Sequence, residues 1–181
     1  MNHEEKRILE TLDACIQSES VRAYIHSRVE RVQSQLAETP SASMSWEPIP
    51  LSIYGETLPA LVRSSWIFIL RSGATTGAER HPNSHQRMVS FRGRGDAQTG
   101  GDGNWQSNPL ISNREAAIRE RWVSIPINVW HQMAVPGGED WAVVSFHTVP
   151  AEELIEERPD GSDAEGTRQR LYIEPGKWSC S

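Results

Sequence analysis

Residues 73–85 of the chain read GATTGAERHPNSH, and residues 126–131 read PINVWH. Three of the six histidines, His81, His85 and His131, fall within these two short stretches. Histidines concentrated in this way, on segments with β-like character, are more typical of one binding site than of scattered surface or core residues. We therefore take the two stretches as the part of the sequence that determines fold and function.

The spacing within the first stretch predicts a cluster of side chains. Residues two apart in an extended strand point to the same face, so Glu79 and His81 are expected to point together. The Pro-Asn-Ser sequence that follows favours a chain reversal, which would bring His85 back to the same cluster from the next strand. His131, near the end of a later strand, would complete the cluster from across the fold.

Imidazole nitrogens combined with a carboxylate oxygen suit iron, manganese, nickel, zinc or copper, and the lack of thiolates argues against a structural zinc site. The sequence therefore predicts one divalent transition metal per chain, held by Glu79, His81, His85 and His131. A second possibility is that the three histidines alone hold the metal. Glu79 would then support them or act as a general base.

From residue 40 onward, short β-like runs are separated by Gly, Pro and Asn, a pattern typical of an antiparallel β-sandwich or barrel. Residues 65–71 are apolar on both faces, which predicts a strand with one face in the barrel and the other under a helix. Residues 95–113, rich in Gly, Asp, Asn and Ser, are predicted to form a long mobile loop. Residues 150–157 are predicted to form a short acidic helix.

Residues 3–37 are predicted to form two helices, from the helical spacing of their apolar residues. Asn2 followed by Glu5 resembles a capping box, and Ser18 or Ser20 is a candidate N-cap for the second helix. The apolar stripe of this hairpin either covers the barrel or forms a dimer contact. The predicted organisation is a helical extension over residues 1–38 that packs on a barrel domain over residues 39–181.

Both histidine stretches resemble the motifs of the cupin superfamily. The first cupin motif is G-x5-H-x-H-x3,4-E-x6-G, and the chain has Gly73-x5-Glu79-x-His81-x3-His85-x7-Gly93, with Glu and His exchanged at the outer ligand positions. The second motif is G-x5-P-x-G-x2-H-x3-N. Here the chain has Pro126-x-Asn128-x2-His131, with Glu120 at the leading Gly position and Val135 at the Asn position. The resemblance covers residues 60–150, and Asn128 suits a turn because Asn tolerates the left-handed backbone region.

The resemblance implies a mainly β fold, a double-stranded β-helix (jelly-roll) barrel carrying the N-terminal helical hairpin, with a metal at the barrel mouth. It does not specify a reaction, because the superfamily includes dioxygenases, isomerases, lyases, decarboxylases and non-catalytic binders. We expect an Fe(II) dioxygenase of a small organic acid, with Glu79 at the catalytic site and Arg87 or Arg71 orienting the substrate carboxylate. The alternatives are a non-redox isomerase or lyase, in which Glu79 or His147 moves protons, and a non-catalytic ligand-binding cupin.

Net charge, the length of the apolar stretches and the cysteine count limit the kinds of binding partner that we expect. A formal net charge of −6 argues against nucleic-acid binding, which requires a basic face. No stretch approaches the roughly 18 to 20 apolar residues of a membrane span, and the first residues carry mixed charge. Two cysteines, Cys15 and Cys180, form no disulfide framework, which favours a reducing compartment. We therefore expect a cytoplasmic protein with a small-molecule substrate, no nucleic-acid or membrane partner, and a possible homodimer.

Overall fold

The computed structural model describes residues 2–101 and 103–159 and, for residues 167–171, the backbone. Two helices begin the chain, α1 (His3–Gln17) and α2 (Glu19–Glu38), as predicted. Asn2 caps α1, because its side-chain oxygen accepts a hydrogen bond from the N–H of Glu5 at 2.8 Å. Ser18 is the N-cap of α2.

The rest of the described chain is mainly β, with a short helix α3 (Ile118–Arg121) and 3-10 turns at Leu51–Tyr54 and Ala151–Glu153. Its strands are β1 (Met44–Pro48), β2 (Ser64–Leu70), β3 (Gln86–Arg92), β4 (Arg94–Gly101), β5 (Asn104–Gln106), β6 (Pro109–Ile111), β7 (Trp122–Ile125), β8 (Trp130–Ala134), β9 (Trp141–His147), β10 (Ile155–Pro159) and β11 (Thr167–Leu171).

Two antiparallel sheets form the barrel. The larger has the strand order β1-β2-β9-β3-β7, and the smaller contains β5, β4 and β6, with β8 also paired to β4. Strands β10 and β11 form a separate antiparallel pair. The predicted fold class, a mainly β, antiparallel barrel with an N-terminal helical hairpin, is therefore confirmed.

Strand β2 shows how the larger sheet is buried on both sides. Trp66 and Phe68 belong to the apolar cluster inside the barrel, whereas Ile67 and Ile69 belong to the cluster beneath α1 and α2. All seven residues of β2 are buried. The prediction of one face in the barrel and one under a helix is thus confirmed. The sheet consequently has two apolar faces, and only one of them lines the barrel.

Two predictions of local structure are wrong. Residues 95–113, expected to be a mobile loop, include most of β4 and all of β5 and β6. Strand β4 is held by pairing with β8, which local sequence cannot reveal. At Gly95 a side chain would collide with the ring of Trp141, so glycine is needed for this close approach. Residues 150–157, expected to be helical, form a 3-10 turn and the start of β10.

Two ion pairs hold helix α1 in place, one to strand β3 of the larger sheet and one to helix α3. The guanidinium of Arg87 donates to both carboxylate oxygens of Glu5, each at 2.7 Å. Arg121 donates to Asp13, which also accepts from the indole N–H of Trp122 at 2.9 Å. Both arginines are buried. These contacts set α1 over β3 and β7.

Three further predictions concern membrane spans, the two cysteines and the domain boundary. Within the described residues, none of the helices combines the length and apolar character needed to cross a bilayer. Cys15 is buried with a free thiol, and Cys180 lies outside the described residues. The division at residue 38 into an extension and a barrel domain stays a prediction. One apolar cluster includes side chains from both helices and from the larger sheet.

Candidate metal centre

Three of the predicted ligands meet at one point of the barrel. The candidate ligand atoms of Glu79, His81 and His131 all lie within 4.8 Å of one another. Glu79 and His131 exchange two backbone hydrogen bonds, of 2.9 and 2.8 Å, so their side chains leave the backbone side by side. The N–H of Asn128, a residue with a φ of 65°, donates to the carbonyl oxygen of His81 at 3.0 Å. The turn predicted at Asn128 therefore lies next to the cluster.

Both imidazoles are oriented for ligation through Nε2. Nδ1 of His81 lies 2.9 Å from the carbonyl oxygen of Ile155, and Nδ1 of His131 lies 3.1 Å from that of Val129. A carbonyl oxygen only accepts, so in each ring Nδ1 carries the proton and Nε2 is left with a lone pair. This is the usual arrangement of metal-binding histidines.

The Nε2 atom of His131 is a buried polar atom that has no hydrogen-bond partner within the described part of the chain. It lies 3.4 Å from Oε1 of Glu79. Buried polar atoms are normally satisfied, so an unsatisfied one in a cluster of ligating groups indicates a place for an ion or water. The donor set present, two imidazoles and a carboxylate, fits a divalent transition metal.

The charge states of Glu79 and His81 are also those required for binding a metal ion. Burial acts to raise the pKa of Glu79, but close contact with His131 and the charges of His131, His81 and Arg158 outweigh it and lower the pKa to about 2. Burial, followed by the charge of His131, lowers the pKa of His81. At neutral pH the cluster therefore offers an ionised carboxylate and a neutral imidazole, the forms that bind metals.

His85 does not join this cluster, which corrects the prediction that it returns to it. Its Nε2 lies 2.7 Å from Oγ of Ser124 and 3.8 Å from Oε1 of Glu5, on the side covered by α1. The reason is strand parity. His85 precedes β3 and shares a face with Arg87, which points toward the helices, whereas Ser84 points inward.

The two arginines expected to orient a substrate also lie elsewhere. Arg87 is engaged with Glu5 of α1. Arg71 donates to the carbonyl oxygens of Leu36, Thr39 and Ala42, and so satisfies the C-terminal end of α2. Neither guanidinium faces the cluster, and Arg87 is therefore not a candidate catalytic residue of this site.

Among the described residues, Arg158 is an arginine that does reach the cluster, and sequence reasoning missed it because it lies far from both histidine stretches. Its guanidinium pairs with Glu79 and also donates to Oε1 of Glu156 at 2.6 Å. Strand β10 thus lies across the cluster, contributing Arg158 and, through Ile155, the carbonyl that orients His81. The side chains of Glu79 and Arg158 keep 15% and 29% of their surface exposed, so the cluster opens to solvent on this side.

His147 and Gln86 are two further residues of the site. His147 is buried at 1% exposure, with its ring 5.1 Å from that of His81, and burial lowers its pKa well below the usual range. It thus lines the barrel beside His81. Gln86 is buried beside Glu79. The first cupin motif allows three or four residues between its second His and its Glu. With four residues after His81, Gln86 occupies the Glu position, and the spacing Gln86-x6-Gly93 matches the closing glycine.

The barrel interior beside Glu79 contains a cavity of about 30 Å³. Glu79, Gln86 and Thr76 lie on its wall together with apolar side chains of the larger sheet and of β8. Organic ligands usually occupy pockets of roughly 300 Å³ or more. The interior on this side of the cluster therefore has no room for a metabolite.

No protein-family model matches the sequence, and no curated protein matches it either. Among solved structures, the chain is similar to oxalate oxidase in complex with the substrate analogue glycolate (TM-score 0.47, 13% identity, 61% of this chain and 53% of that chain). It is also similar to the Lactobacillus farciminis oxalate decarboxylase formate complex (TM-score 0.45, 15% identity, 60% of this chain and 29% of that chain). A third is pumpkin seed globulin (TM-score 0.49, 18% identity, 65% of this chain and 28% of that chain).

The chain spans about half, or less, of the length of these three solved chains. Likenesses at such identities and TM-scores carry no information on the activity of this chain. Its own sheets and side chains show a mainly β, antiparallel barrel with a candidate His/Glu metal site, and its two histidine stretches resemble the cupin motifs.

Proposed function

We propose that the chain binds one divalent transition metal through Nε2 of His81, Nε2 of His131 and a carboxylate oxygen of Glu79. We further propose that the metal is iron(II) and that the protein oxidises a small organic acid with dioxygen. The observation that carries the proposal is the buried Nε2 of His131, which faces Glu79 and has no hydrogen-bond partner among the described residues.

The ligand set supports the choice of iron. Two histidines and one carboxylate are the ligands of non-haem Fe(II) oxygenases, and they leave coordination positions open. Bound iron(II) would supply a redox-active centre at which dioxygen is activated. This set differs from the one predicted from sequence, because His85 is absent from the cluster.

The exposed side of the cluster supports a carboxylate-containing substrate. Arg158 lies at this opening, and its guanidinium already binds the carboxylate of Glu79. Arginine binds carboxylates with two parallel hydrogen bonds, so Arg158 would orient a substrate acid at the cluster. Arg158 thus takes the role that the sequence suggested for Arg87 or Arg71.

The size of the interior cavity favours a second candidate, a non-catalytic cupin that binds a metal or a small ligand. A space of about 30 Å³ next to Glu79 cannot take an organic substrate. An enzyme built on this site must therefore bind its acid from the exposed side. If it does not, the cluster would serve binding alone.

Oxygen uptake by the iron-loaded protein separates these candidates. The full chain is loaded with Fe(II) under anaerobic conditions and offered a panel of small carboxylic acids in an oxygen electrode, with product analysis. We expect acid-dependent oxygen consumption that is lost in His131→Ala and Arg158→Gln and retained in the matched controls His85→Ala and Arg80→Gln.

Product formation that persists without oxygen would overturn the dioxygenase in favour of a non-redox isomerase or lyase. An iron-loaded protein that consumes no oxygen and converts none of the acids would support the non-catalytic binder.

A further inference from the structure

We propose that the cavity beside Glu79 is a binding site for dioxygen, separate from the exposed side at which the organic acid would bind. The functional meaning of this site rests on the proposed oxygenase activity. Its occupancy depends only on the cavity and can be measured without metal.

The size of the cavity limits its ligand to a very small molecule. Its volume is about 30 Å³, and a water molecule requires a probe-occupied volume of roughly 10–15 Å³. A diatomic molecule therefore fits, whereas an organic acid with several heavy atoms does not.

The wall of the cavity favours an apolar molecule over water. Most of its lining is apolar and includes three thioethers: Met44, Phe68, Leu70, Met88, Met133 and Val143. Methionine sulfur is polarisable and its side chain adapts its shape, which suits a weakly interacting gas. Cavities lined by apolar side chains bind apolar probes such as xenon.

The polar part of the wall consists of Thr76, Glu79 and Gln86. Thr76 is satisfied, since its hydroxyl accepts from the N–H of Met133 at 3.0 Å and donates to Gly77 O at 3.2 Å. Glu79 is engaged with Arg158 and lies against His131. Gln86 Oε1 is a buried acceptor without a hydrogen-bond partner in the described part of the chain. Glu79 Oε1 and Gln86 Oε1 can each accept one hydrogen bond, so a water molecule is the competing occupant of the cavity.

The position of the cavity connects it to the cluster. Glu79 lines the cavity and also contributes to the group formed with His81 and His131. A molecule held against Gln86 and Met88 is therefore next to the carboxylate that would ligate the metal. Dioxygen would reach the centre from the barrel interior, and the acid would reach it from the side of Arg158.

Methionine-methyl NMR of the metal-free full chain tests the proposal, because dissolved dioxygen is paramagnetic and relaxes nearby nuclei. The three cavity methyls are assigned with Met→Leu variants, and relaxation is compared under nitrogen and under oxygen. We expect oxygen to broaden the methyl signals of Met44, Met88 and Met133 more than those of surface methyl groups.

A matched pair of variants identifies the cavity as the cause. Val143→Ile adds a methylene into the cavity and is expected to abolish most of the broadening. Val144→Ile adds the same methylene on the opposite, helix-covered face of β9 and is expected to preserve it. Circular dichroism checks that both variants fold.

Broadening no larger than at surface methyls, or unchanged in Val143→Ile, would overturn the proposal. So would cross-relaxation between these methyls and water, which would show a hydrated cavity. A protein that takes up no metal but shows the expected broadening would contradict the proposed function and leave the gas site intact.

Discussion

Nε2 of His131 lies 3.4 Å from Oε1 of Glu79, and the backbones of the same two residues exchange hydrogen bonds of 2.8 and 2.9 Å. The β-bridge fixes the two side chains together before any ligand binds. A preformed site of this kind loses little conformational freedom on binding.

Arg158 is predicted to compete with the metal for Glu79. Its positive charge repels a dication and its guanidinium pairs with the carboxylate that the metal needs. Arg158→Gln should therefore bind Zn(II) or Fe(II) more tightly, by roughly tenfold. Competition titration with a chromophoric chelator measures this. Arg80→Gln is the matched control, since Arg80 pairs with Glu157. Weaker binding by Arg158→Gln would mean that Arg158 orients Glu79 as a ligand.

Arg87 is predicted to stabilise the fold without serving the metal site. Arg87→Met leaves the half-buried carboxylate of Glu5 without its two guanidinium hydrogen bonds. The free energy of unfolding should fall by roughly 2–4 kcal/mol, measured by urea denaturation. Metal content should not change. Arg94→Met, at an exposed position of β4, should have little effect. Loss of metal in a folded Arg87→Met protein would contradict this assignment.

The acid stability of the metal-free protein is predicted to depend on Glu5 and Asp13. Burial acts to raise both pKa values, but hydrogen bonds from Arg87 and Ser124 to Glu5, and from Arg121 and Trp122 to Asp13, lower each pKa below the ordinary value of its side chain. The unfolded chain therefore takes up these protons first as the pH falls. The stabilisation is present above about pH 5 and is lost progressively below it.

The variant Glu5→Gln/Asp13→Asn should be less stable at neutral pH and should lose less stability on acidification. Urea denaturation at a series of pH values measures both. A pH slope equal to that of the unaltered chain would exclude the two carboxylates as its source.

Gly95 is predicted to be intolerant of a side chain. A Cβ atom there would lie 2.1 Å from a ring carbon of Trp141, and that ring is held by a 2.8 Å hydrogen bond from its Nε1 to Ser90. Gly95→Ala should cost roughly 1–3 kcal/mol in thermal or urea unfolding. Gly137→Ala is the control, because nothing lies within 4 Å of a Cβ there. Equal effects of the two substitutions would contradict the packing described for Trp141.

The fold class was predictable because its determinants are local. The apolar spacing of residues 3–37, the Asn2 cap and the doubly apolar run of β2 each follow from short stretches of sequence. The pairing of β4 with β8 was not predictable, because it joins residues thirty or more positions apart. A glycine-rich segment therefore looked like a loop.

The site was predictable in part for a different reason. Glu79, His81 and His131 follow from motif order and from the rule that residues two apart share a face. His85 was misassigned because the larger sheet is buried on both sides, so apolar alternation along β3 could not tell the barrel face from the helix face. Arg158 lies far from both motifs, on a strand that the sequence did not predict.

The most direct test of the account is the metal content of the purified full chain, measured beside His131→Ala and His85→Ala after incubation with Fe(II), Mn(II), Ni(II) or Zn(II). We predict near-stoichiometric metal in the unaltered chain and in His85→Ala, and its loss in a folded His131→Ala protein. A chain that takes up none of the four ions would contradict the metal site. Metal retained in His131→Ala but lost in His85→Ala would contradict the cluster of Glu79, His81 and His131 as its ligands.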